Sequence, residues 1–154
     1  MDLVTMKLSD VIPYDNNPRH NDAAVGAVKA SIQEVGYISP IIVDEAHVIL
    51  AGHTRFLALQ SLGVEEIPVG VMEGLNEEQK KKYRLLDNKT NEFAQWDFDK
   101  LREESKDLDF SYDFGIDQLL EKGENLEAAK AQEDKEDHMD TICSCPRCGA
   151  VWEE

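Results

Sequence analysis

Cysteine is nearly missing from this chain. Its three cysteines all fall between Cys143 and Cys148, and none stands in the first 142 residues. That excludes a disulfide framework and removes thiol chemistry from the body of the protein. Long apolar runs are missing too: none approaches the ~20 residues that cross a bilayer as a helix. The N-terminus lacks the charged-then-apolar pattern of a leader, so a cytoplasmic protein is expected. Positive charge is scarce, with 16 Lys and Arg against 32 Asp and Glu, a formal net charge of -16. Residues 1–100 hold 16 acidic and 10 basic side chains, and residues 101–154 hold 16 and 6. A surface of that sign repels a phosphate backbone and argues against nonspecific duplex binding by the whole chain. The dense basic cluster Lys80-Lys81-Lys82 with Arg84 reads as a solvated helix face.

What remains suits one domain with an appendage: 154 residues, 42% of them hydrophobic, enough for a real core. Leu3, Val4, Met6 and Leu8 read as a short strand at an edge. Residues 12–19, with Pro13, Pro18 and an Asp-Asn-Asn cluster, form a loop. A helix is predicted from about Ala23 to Glu34, with Val25, Val28, Ile32 and Val35 as its apolar stripe and Gly36 as its stop. Strands follow at 41–43, 48–50 and 67–71, the first two joined by a hairpin turn at Asp44–His47. Pro68 places the last of them at a sheet edge or at its own first residues. Asn76 caps a charged helix, and Asp97 caps another through Leu101. Phe93 and Trp96 read as core. Phe110, Tyr112, Phe114, Ile116, Leu119 and Leu120 suit one more helix docked on the domain. Glu121–Asp140 reads as a free helix or a disordered acidic linker.

The chain is organised around the stretch from Val48 to Leu59. A β-branched run ends at Ala51-Gly52, and a helical pattern begins at once. A strand, a glycine and a helix N-terminus aim free backbone N–H groups and the positive end of a helix dipole at one spot, which suits a phosphate or carboxylate. Gly52 allows close approach, Thr54 offers a hydroxyl, and Arg55 a planar fork of donors. His53 is either a phosphate donor, a helix cap or a general acid/base. The polar run from Asp87 to Glu92 either meets a metal or nucleotide, or caps its own turn.

The tail carries Cys145-Pro146-Arg147-Cys148-Gly149, a zinc knuckle in form. Three arrangements are open: one zinc site from His138, Cys143, Cys145 and Cys148; a site shared between two knuckles across a homodimer; or half a ribbon without metal.

Taken in order, Asn17-Pro18-Arg19, Gly36–Val43, Ala51-Gly52-His53-Thr54-Arg55 with Ala58, Leu62-Gly63 before Ile67-Pro68-Val69, and Leu86–Glu92 with Trp96-Asp97 form a set. In that set the chain resembles the N-terminal domain of the ParB/sulfiredoxin superfamily, and within it the phage and mobile-element ParB-like proteins, often labelled nucleases, whose relatives precede DNA methyltransferases. The resemblance covers residues 3 to about 100 and agrees with the α+β fold, a small mixed sheet with helices, that the order of elements gives for residues 1–100; composition and spacing give a helical to disordered acidic extension over 101–140 and the knuckle over 141–154. The resemblance implies a bound nucleotide, CTP or ATP with Mg²⁺. Phosphates would lie at Gly52, His53, Thr54, Arg55 and Arg19, the base beside Tyr37, Ile38 and Ser39, and Asp87 and Asn88 would close over the triphosphate and metal as catalytic residues. Two departures stand out. His53 occupies the place of the sulfiredoxin cysteine, which excludes sulfinic acid reduction, and Phe56 stands where ParB clamps carry a second arginine.

Three functions follow as expectations for a bacterial or phage-infected cytoplasm. The first is a nucleotide-binding switch or slow NTPase in phage or mobile-element DNA transactions. The second is a metal-dependent DNA nuclease using Asp87. The third is a non-catalytic adaptor for a DNA methyltransferase or another DNA-processing partner. Residues 101–154 are too short and acidic to supply a helix-turn-helix DNA reader.

Overall fold

The computed structural model describes residues 2–18 and 22–126, together with the backbone of two short strands near the C-terminus. By contacts the chain divides into two units, Met1–Gln95 with Asp109–Phe114, and Trp96–Leu108 with Gly115–Glu154.

The first unit is built on a four-stranded mixed sheet. Its elements are β1 (Asp2–Lys7), a 3-10 turn (Leu8–Asp10), α1 (Asp22–Val35), β2 (Ile41–Asp44), β3 (Ile49–Ala51), α2 (His53–Ser61), β4 (Glu66–Met72) and α3 (Glu77–Asn91). The strand order is β1-β4-β2-β3, with β2 and β4 parallel and the outer pairs antiparallel. β1 is the exposed edge expected of it. The opposite edge, β3, is covered by the loop after the 3-10 turn. Ile12 N–H donates to the His47 carbonyl, and Ile49 N–H donates to the Ile12 carbonyl, each at 2.9 Å. β4 is an inner strand rather than a sheet edge, and Pro68 lies among its first residues, the other of the two positions expected of it. The proline is tolerated there because β2 registers on β4 only from Val69 onward, while Pro68 faces Thr5 of β1.

β-branched and aliphatic side chains of β2, β3 and β4 meet Phe56 and Leu59 of α2, with Leu8 and Val11, to form the core. Burial of this kind contributes roughly 1.5–3 kcal/mol per large apolar side chain. The β2–β3 turn is fixed by Asp44, whose Oδ1 accepts from the N–H groups of Ala46 and Val48, each at 3.0 Å. α3 begins on a complete capping box: Asn76 Oδ1 accepts from Gln79 N–H and Gln79 Oε1 accepts from Asn76 N–H, both at 2.9 Å.

Three expectations about side chains change. Phe93 and Trp96 are 73% and 62% exposed rather than core. Val35, at the end of the α1 stripe, is exposed as well. The basic cluster is split: Lys81 and Lys82 face solvent, but Lys80 and Arg84, one turn apart, are buried. Lys80 Nζ is held by Asp44 at 3.1 Å, Glu45 at 2.9 Å and Glu77 at 3.2 Å. Those carboxylates push the lysine well above its ordinary pKa, against the opposing effect of burial. Burial by itself raises the Asp44 carboxyl. The Val48 N–H, Lys80 and the Ala46 N–H outweigh it and leave Asp44 below the usual carboxylate range.

The aromatic run after Ser105 also differs. Residues 109–114 join the first unit, where Ser111 N–H donates to Glu34 of α1 at 3.1 Å. Tyr112 lies against Gly26, and Phe110 and Tyr112 pack edge-on to Phe114. In the second unit, α4 (Phe98–Ser105) opens on Asp97, whose Oδ1 accepts from Lys100 N–H at 3.1 Å. A helix α5 covers residues 116–126, with Gly123 against the Phe98 ring. Strands β5 (Ile142–Ser144) and β6 (Val151–Glu153) pair antiparallel, Cys143 opposite Trp152.

Candidate functional site

The core delivers its most constrained junction to one place. β3 ends at Ala51 and α2 starts at His53, with Gly52 between them at φ +103°, a conformation that L side chains rarely adopt. A Cβ on Gly52 would also meet the Arg55 guanidinium at 3.3 Å. Arg55 folds back over this glycine and crosses to the loop before β2. Its Nη1 donates to the Ser39 carbonyl at 2.7 Å, Ser39 Oγ at 2.6 Å and the Pro40 carbonyl at 2.8 Å. The same loop is braced by Tyr37, whose Oη accepts from Ile41 N–H at 2.6 Å. Burial raises the Tyr37 phenol above its ordinary pKa, against lowering by that hydrogen bond and by Arg55, so it stays neutral.

His53 faces the other side. Its Nε2 accepts from the Tyr14 N–H at 3.2 Å, which requires a neutral ring with its proton on Nδ1. Burial, and then the positive charge of Arg84, hold its pKa below the ordinary value. His53 thereby ties the Tyr14 loop to the start of α2, and Nδ1 is the nitrogen left as a donor.

Around this junction lies a cleft of about 450 Å³. Its walls are the Val28–Val35 face of α1, the 36–39 loop, the start of α2, the loop through Tyr14, Asn17 and Pro18, and the final turns of α3. Tyr37, Ile38, Ser39, Gly52, His53, Thr54, Arg55, Asp87 and Asn88 all border it. Arg19 lies outside the described residues; Pro18, which precedes it, lines the cleft. The polar run is not a turn after a helix but the last turns of α3 itself. Three of its side chains donate back to the preceding turn: Asn88 to the Arg84 carbonyl at 2.8 Å, Thr90 to Leu86 at 2.7 Å and Asn91 to Asp87 at 2.7 Å. Asn88 Oδ1 and the half-buried Asp87 carboxylate are hard oxygen donors of the kind Mg²⁺ takes alongside substrate phosphates. Among the described residues lining the cleft, Asp87 is the one carboxylate. No group of three or more His, Cys, Asp or Glu is placed to hold a metal among the described residues. His138, Cys145 and Cys148 lie outside the described residues, and Cys143 is placed only as backbone in β5.

Sequence reasoning missed Tyr14, Val28, Ile32 and Arg84. Arg84 is 8% exposed, stacks with Cζ 3.9 Å from the Tyr14 ring centroid, and donates from Nε to the Ile49 carbonyl at 3.0 Å. Its spacing to Asp87, Asn88 and Asn91 on one helix face was the available signal.

A mixed sheet that ends a strand in a glycine-opened helix, beside a cleft closed by two further helices, defines an α+β ligand-cleft domain. More particularly, residues 1–89 match the family model described as ParB N-terminal domain, and the chain belongs to that family. It is 36% identical over 81 residues to the ParB-like nuclease domain-containing protein YnaK of Escherichia coli (strain K12), covering 52% of this chain and 93% of YnaK. It is 30% identical over 87 residues to the nucleoid occlusion protein of Bacillus cytotoxicus, covering 53% of this chain and 30% of that protein. The C-terminally truncated chromosome-partitioning protein ParB of Caulobacter crescentus, solved with CTP-γ-S, shares the fold. The TM-score is 0.55 at 22% identity, over 67% of this chain and 59% of that one. The chain therefore spans most of YnaK, but under a third of the nucleoid occlusion protein and under two thirds of the ParB chain. No described helix is long and apolar enough to cross a membrane.

Proposed function

We propose that the cleft binds a nucleoside triphosphate, CTP or ATP with Mg²⁺, and that the protein works as a nucleotide-dependent switch or slow NTPase in DNA transactions. The observation that carries this reading is the convergence on one cleft of a glycine-opened helix N-terminus, the Ser39 loop and the Asp87/Asn88 turn. The helix supplies backbone N–H groups for phosphate. Tyr37, Ile38 and Ser39 would flank the base, and Arg19 would join the phosphates. Mg²⁺, where bound, supplies charge neutralisation between phosphate oxygens, and Asp87 with Asn88 would orient it. Positioning and charge dominate such chemistry. The CTP-γ-S held by the Caulobacter relative supports a nucleotide over other anions.

The nuclease reading draws on the name of YnaK. A cleft with one carboxylate among its described residues favours nucleotide-borne metal over a paired-metal cutting site, so we rank it second. We further propose that the tail knuckle, with Cys145 and Cys148 as core ligands and Cys143 and His138 completing it, takes Zn²⁺. Together with the acidic extension, it would serve as a docking element for a DNA-processing partner or a second copy.

Thr54→Asp tests the phosphate site cleanly. An acidic residue in the first turn is favourable to α2, yet it sets a negative charge where phosphate would bind. The variant should melt at or above the wild-type temperature and lose the nucleotide-dependent rise in melting temperature. An undiminished rise would overturn the assignment.

A further inference from the structure

Among the described residues two arginines border the cleft, Arg55 and Arg84, and they are in opposite states. Arg55 has committed Nη1 to three acceptors of the Ser39-Pro40 loop. Arg84 is more deeply buried, and its plane is fixed from two sides by the Tyr14 ring and the Ile49 carbonyl. Its Nη1 and Nη2 donate no hydrogen bond to any described residue, and its nearest carboxylate oxygen, Asp44 Oδ2, stands 4.0 Å from Nη2. Asp44 is already satisfied: Lys80 holds Oδ2 at 3.1 Å, and two backbone N–H groups hold Oδ1. No buried side-chain nitrogen or oxygen among the described residues lacks a hydrogen-bond partner, so the terminal nitrogens that make no bond are the solvent-accessible end of the guanidinium, donors available to an anion. Arg84 borders the cleft beside His53, which is neutral, and Asp87, and on its other side it borders a hollow lined by Tyr14, Asp44 and Lys80.

We infer that Arg84 is an anion-recognising residue of this cleft, whose planar fork receives two oxygens of a polyphosphate. The inference rests on the proposed nucleotide reading only for what the polyphosphate is attached to. The Tyr14 stack and the Ile49 bond preorganise the fork, so little side-chain freedom is lost when an anion arrives. The ligand completes the coordination that Asp44 leaves open. On a chain of net charge -16, a fixed cation at the cleft also favours the entry of a polyanionic group.

The test is calorimetric titration of the full chain and of Arg84→Gln and Arg84→Lys with inorganic tripolyphosphate, and separately with CTP and ATP in Mg²⁺. Circular dichroism confirms the fold of each variant. The expected order of tripolyphosphate affinity is wild type, then Lys, then Gln, with Arg84→Gln weaker by about tenfold or more, the size of a lost charge-assisted contact. Should Arg84→Gln not fold, Arg84→Lys decides. It keeps the charge but not the fork, and an affinity equal to wild type overturns the inference. Wild type that binds tripolyphosphate but no nucleotide overturns the nucleotide reading and leaves Arg84 to be judged by its variants. Wild type that binds nucleotide as tightly as a folded Arg84→Gln overturns the Arg84 assignment alone. No binding of any probe overturns both.

Discussion

Gly52 and Arg55 depend on each other. The glycine's backbone conformation is one that L residues rarely adopt, and the arginine's guanidinium lies 3.3 Å from where a Cβ would stand, a tight contact. Gly52→Ala should therefore lower stability by about 1–2 kcal/mol for the backbone alone and displace Arg55 from the Ser39 loop. Denaturant midpoints measure the first effect, and an unchanged midpoint would contradict the geometry. His53 gives a pH signature. Its folded pKa lies below the ordinary value, so the unfolded chain takes up the proton first as pH falls. Stability should be complete above about pH 6.5 and decline as pH drops from there through the depressed folded value. Protonation would set an N–H against the Tyr14 N–H. Urea midpoints of wild type and His53→Gln between pH 5 and 7.5 check this: the slope should be present in wild type and reduced in the variant. The glycine's role was legible in the sequence, because strand and helix periods meet at Gly52. The states of Arg55 and His53 were not. Both partners, Ser39 and Tyr14, come from loops whose paths follow no period.

At the scale of the element, α3 carries most of what pattern reading could not assign. Its capping box at Asn76 and Gln79 was visible, since both ends of that motif are local. Asn76→Ala should cost about 1 kcal/mol, read as a lower melting temperature, with weakened ligand binding through the far end of the same helix. A melt unchanged within error would mean that tertiary packing alone holds the start of α3. The inward face of this helix is made of Lys80, Arg84, Asp87 and Asn88. Hydropathy patterns count such residues as surface, and so the helix looked solvated. Only the three-dimensional nearness of Asp44 and Ile49 reverses that reading. The apolar residues Leu85 and Leu86 are exposed instead, the inverse of the usual amphipathic helix. The four sheet strands and the order of the helices, by contrast, were legible, since β-branched runs and glycine or proline punctuation mark them directly.

For the whole molecule, charge sets the terms of binding. A net charge of -16 opposes duplex DNA at long range. Mobility-shift assays at about 0.15 M salt should show no retention of random duplex by the protein alone, and retention there would contradict this. The cleft has to overcome the same field for its ligand with local donors. The central claim is that it does so for a nucleoside triphosphate, and the most direct measurement is calorimetric titration of the full chain with CTP, ATP, GTP and UTP, each with Mg²⁺. The account predicts selective binding of one of them at micromolar strength, about -8 kcal/mol. Absence of heat with all four would contradict it.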